Sequence, residues 1–161
     1  MVELASQLDA VQMEPPLDPD VMFQAANPLA LAGWLVLAIS PLAPRIADRV
    51  AGFGIPAVLS LGYTALILTN WSGADGGYDS LPNVMLLFTV PEIALAGWVH
   101  YLAFDLFVGA WEVRTARREA IPHVLVLPCL ILTFLFGPIG LLLFLGLRLA
   151  RSPFATHTTE H

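Results

Sequence analysis

The chain has 161 residues, 57% hydrophobic and 12% charged, where soluble domains carry roughly 25% charged residues. A soluble domain of about 150 residues leaves roughly a third of its surface in water, so this composition excludes a soluble globule and makes the bilayer the expected solvent. All seven cations are arginine and the net charge is −6, which excludes a Schiff-base or P-loop lysine and leaves no basic face for nucleic acid.

The acidity is local. Glu3, Asp9, Glu14, Asp18 and Asp20 fall within residues 1–23 without a cation, and the remainder is near neutral. Residues 1–22 therefore read as an acidic extramembrane segment, 23–150 as a membrane domain, and 151–161 as a polar tail. Leu4, Leu8 and Val11 have helical spacing ahead of Pro15-Pro16. Disorder is the default for such a terminus, and docking of residues 1–20 to a larger membrane complex is the functional alternative. The segment lacks the basic start and apolar core of a signal peptide.

Charge-free windows then mark spans near 24–42, 51–70, 90–112 and 123–147. Each reaches the roughly 20 residues that a helix needs to cross about 30 Å of hydrocarbon. No stretch alternates with period two, so an all-α, four-helix membrane bundle is expected. The fourth window contains Pro122, Pro128 and Gly137-Pro138. One kinked span is preferred there over a re-entrant hairpin turning at Gly137-Pro138.

Arginines set the direction. Arg45 and Arg49 follow the first window and Arg114, Arg117 and Arg118 follow the third, whereas the loop after the second has only Asp75 and Asp79. Both arginine loops are expected in the cytoplasm and the N-terminus outside. Four spans would also carry Arg148 and Arg151 outside, against the same rule, and the two inner loops are taken to outvote them.

Ionisable residues at membrane depth are costly and read as functional by default. Span three holds Glu92, His100 and Asp105, with Trp98 and Tyr101 beside them. At 100° per residue Trp98, Tyr101, Asp105, Gly109 and Glu112 form one stripe, and His100 lies about 140° around the axis from Asp105. The two either find separate partners on neighbouring spans or flank one cavity. Structural glue is the competing reading, with Asn27, Asn70, Tyr63, Thr133 or Arg114 as partners. Glu112 and Glu119 read as solvated or paired near the arginine loop. Cys129 is alone, so no disulfide or cysteine cluster is expected. His157 and His161 read as incidental tail residues, and no metal or cofactor is expected.

The stretch Gly97 to Gly109, GWVHYLAFDLFVG, resembles the signature of the abscisic-acid-deficient-four-like family, whose plant members are neoxanthin synthases. Residues 24–41, YDSL at 78–81 and LPCLILTFLFGPIGLLLF at 127–144 resemble the family's first span, a loop and its last span. The resemblance implies a carotenoid-modifying membrane protein that isomerises an epoxycarotenoid to an allenic alcohol without redox change or cofactor. Such chemistry needs a base for a chain carbon and an acid for the epoxide oxygen. His100 and Asp105, with Glu92 as an outside candidate, are the titratable groups at membrane depth that such catalysis could use, with Tyr101 as donor to the epoxide oxygen. Trp98, Phe104, Thr133 and Phe136 are the candidates to bind the carotenoid. The alternative is a non-catalytic pigment-binding or accessory subunit of a larger, photosynthetic complex. No basic, serine-rich plastid leader is present, so a multi-pass protein of a bacterial inner membrane is expected.

Overall fold

The computed structural model describes residues 18–151, all helix and connecting turns with no strand among them. The readings on residues 1–17, on the tail from 152 and on its histidines lie outside the described residues. Helix α1 (Pro19–Ala38) opens with Pro19 at its first position and the Asp18 carboxylate accepting from the Asp20 amide at 2.8 Å. Helix α2 (Pro44–Arg49) runs through a π turn (Val50–Gly54) into α3 (Ile55–Asn70). Short α4 (Leu81–Leu87) is capped by Ser80 and leads to α5 (Pro91–Arg118). Helices α6 (His123–Phe136) and α7 (Pro138–Arg151) complete the bundle.

Three helical stretches are long and apolar enough to cross a membrane: Pro19–Ala38, Pro44–Gly73 and Pro91–Arg118. In their most apolar windows half of the α5 residues are buried, against 28% for α1 and 33% for Pro44–Gly73, so α5 is the central post. Small residues allow the close approach. A Cβ on Gly109 would lie 2.6 Å from the Trp34 ring, and Gly33 faces Leu106 in the same crossing. Leu31, Leu35, Phe53, Leu61, Leu68 and Leu142 are exposed, as lipid-facing side chains should be. The protein is a membrane protein.

The fourth window differs from expectation. It forms two helices of 14 residues each, about 21 Å long at 1.5 Å per residue and so short of the hydrocarbon thickness. The break has a local cause. Gly137 takes φ +49 and ψ −96, a left-handed conformation that glycine tolerates, and Pro138 offers no N–H to continue α6. Pro28 and Pro128 remain inside helices; the glycine turns a kink into a reversal. Gly140 then lies directly against Thr133 and the Cys129 carbonyl. Phe144 packs edge-on to Trp111 at 5.6 Å, and Arg148 pairs with Glu119 beyond the end of α5. Helix α7 therefore runs beside α5 in the same direction and returns to the end where α6 began.

This return sorts the charges. Arg117 bridges to Asp48 on α2 at 2.6 Å, and Arg114 lies against Gly52 in the π turn and 5.8 Å from the Phe107 ring centre. All seven arginines gather at this end of the bundle. Asp18, Asp20, Asp75, Asp79 and Glu92 lie at the other end, without a cation among the described residues.

Candidate functional site

Two flanks of α5 carry the polar residues. One flank faces α1, α6 and α7. There the Trp98 indole donates to the Asn27 side-chain oxygen at 2.9 Å, and Asn27 in turn donates to the Phe23 carbonyl at 2.8 Å. One turn further, the Tyr101 hydroxyl donates to the Phe134 carbonyl at 2.9 Å. Asp105 follows, its carboxylate pressed so close to the elbow that a Cβ on Gly137 would lie 3.0 Å from both oxygens. Two turns below, Glu112 accepts from the Thr133 hydroxyl at 3.0 Å.

The other flank faces α3. His100 stacks on Phe104 with ring centres 4.4 Å apart and lies 5.7 Å from the Tyr63 ring. His100 and Asp105 therefore do not meet; the helix stands between them, and each has its own neighbours. Phe104 lines a shallow apolar pocket of about 230 Å³ with Pro56, Ser60 and Phe107. Glu92 sits in the first turn of α5, where the helix dipole favours a carboxylate. Phe136 is exposed at the elbow, and Thr133 is fully buried with Glu112 as its partner. Of the eight expected site residues, Trp98, Tyr101 and Asp105 are brought together, with Thr133 behind them.

A groove of about 450 Å³ opens between α1, α5 and α6, lined by Asn27, Leu31, Trp98, Tyr101, Leu102 and Phe134 among others. Its size falls in the roughly 300–1,000 Å³ range of small-molecule sites, and its lining follows their pattern of apolar walls with few polar groups. Phe134 was missed as a lining residue, because one apolar residue of a charge-free helix looks like any other. Glu112 corrects a second expectation. It is 0% exposed and makes no ion pair, because its side chain points into the α6–α7 hairpin while the neighbouring arginines turn outward. Asp105 does not pair with Arg114 either. Glu119 does pair, with Arg148, and that guanidinium holds its carboxyl below the usual range. Among the described residues no three of His, Cys, Asp and Glu cluster as metal ligands would.

A model of the ABA DEFICIENT 4-like family matches residues 21–144, which span every residue named in the groove. The chain belongs to this family. Membership in the ABA DEFICIENT 4-like family agrees with the resemblance carried by Gly97 to Gly109. Comparison with curated proteins gave no match, and comparison with solved structures gave none.

Proposed function

We propose that the protein isomerises an epoxycarotenoid by acid/base chemistry, with the ring end of the substrate seated in the groove between α1, α5 and α6. One observation carries this reading: the polar flank of α5 puts Tyr101 in the groove wall with Asp105 one turn behind it. In the reaction a carbon of the chain beside the ring gives up a proton, the electron pair forms the new double bond, and the epoxide C–O bond breaks. The oxygen gains a proton and remains as an alcohol. Protons and electrons balance without an oxidant. Asp105 is the base in this scheme, Tyr101 the donor to the oxygen, and the Trp98–Asn27 pair fixes one wall of the groove.

Pigment binding without turnover is the second reading. It is favoured by the Tyr101 proton being already committed to the Phe134 carbonyl. Expression in membranes that accumulate an epoxycarotenoid separates the two. Conversion by the wild type, with Asp105→Asn binding pigment but not converting it, supports the isomerase; pigment bound without conversion by either supports the carrier. The host is read as a bacterial inner membrane, with the arginine end in the cytoplasm. Docking to a larger complex through residues 1–20 remains part of the carrier reading.

A further inference from the structure

Glu112 has no part in the scheme above. It is fully buried on the flank of α5 that carries Asp105, and its Oε2, like Asp105 Oδ2, has no hydrogen-bond partner. Its surroundings are closed. Thr133 and Cys129 of α6 are buried beside it with Gly140 of α7 against both, and neither the groove nor the α3-side pocket is lined by it. Neither ion pair of the described residues reaches it. A bare carboxylate with one hydrogen bond in an apolar interior is a state that proteins avoid by pairing or neutralising the group. Among the described residues no arginine pairs with it, and its carboxyl is sealed from solvent. A proton fits.

We propose that Glu112 is a proton-bearing carboxyl, and that by staying neutral it leaves Asp105 as the one carboxyl on this flank able to ionise and act as base. Two carboxyls on one flank are thereby divided into a permanent acid and a working base by their burial, complete for Glu112 and partial for Asp105. Glu112 is a positioning residue acting through Asp105, and its use in this way rests on the isomerase reading; the proton on it does not. Asp105 two turns up α5, and Thr133 and Cys129 of α6, are the polar side chains nearest to it. Helix α7 brings Gly140 against Thr133 and the Cys129 carbonyl.

Infrared spectroscopy of the purified full chain at neutral pH tests this. The wild type should show the carbonyl stretch of an un-ionised carboxylic acid that moves on exchange into heavy water. Glu112→Gln should remove the band, Asp105→Asn should leave it, and Thr133→Val should shift it by deleting the hydroxyl partner. Absence of the band from the wild type overturns the proposal, as does its survival in Glu112→Gln or its loss in Asp105→Asn. A wild type that keeps the band yet converts no carotenoid would count against the isomerase and leave the proton on Glu112 in place.

Discussion

The Tyr101 hydroxyl donates to the Phe134 carbonyl, and that carbonyl is the one whose helical partner would be the nitrogen of Pro138. Proline has no N–H, so α6 ends with an orphaned acceptor, and α5 supplies the missing donor. One residue thus closes the elbow and lines the groove. Tyr101→Phe is expected to lower stability by about 1 kcal/mol, a typical net value for a hydrogen bond. Thermal unfolding in detergent measures that loss. Conversion per mole of folded protein should fall further than stability alone accounts for, and a variant that loses stability only would confine Tyr101 to the elbow.

The hairpin predicts topology. Reporter fusions after Asp75, Arg118 and Arg151 should report one side for the first and the opposite, shared side for the other two. A single span over 123–147 would instead put Arg151 with Asp75. That outcome would refute the helix reversal at Gly137.

His100 lies on the α3 flank, away from the groove. His100→Gln should keep most of the conversion seen in the wild type, while Asp105→Asn should lose it by a factor on the order of 100 or more, as expected for removing a general base. Pigment profiles normalised to folded protein give both numbers. Equal losses in the two variants would return His100 to the chemistry.

The Arg148–Glu119 pair gives a pH dependence with a definite sign. Its carboxyl is held below its ordinary value of 4.5 by the arginine. A depressed carboxyl contributes stability that is present above 4.5 and lost as pH falls through the lower folded value. Both side chains are over a third exposed, so the effect should be small and should fade with salt. Stability curves of the wild type and Glu119→Gln should converge at acid pH. Curves that diverge on acidification would exclude this pair as the cause.

The stripe of Trp98, Tyr101, Asp105, Gly109 and Glu112 was legible in the sequence, because 100° per residue fixes which side chains share a face whatever packs against it. Which neighbour that face meets was not legible; it depends on where α6 turns. The fourth window shows why. Pro28, Pro128 and Pro138 look alike in a charge-free run, yet only the last follows a glycine that can adopt φ +49 and precedes a second, Gly140, that lets α7 lie on Thr133. The clue was electrostatic: Arg148 and Arg151 sat on the wrong side of a four-span chain. Glu112 was misplaced for the opposite reason. Sequence proximity to Arg114, Arg117 and Arg118 suggested a shared environment, but residues two, five and six apart on a helix point in quite different directions.

The reversal at Gly137 also gives the molecule an uneven waist. Toward the acidic end the bundle consists of α1, α3 and α5 with the short α4 beside them; toward the arginine end α6 and α7 are added. Such a body displaces more lipid from one leaflet than from the other. In a bilayer it acts as a wedge, at ease where the leaflet around its arginines is the more expanded one, and its groove opens just above the step where the wedge widens.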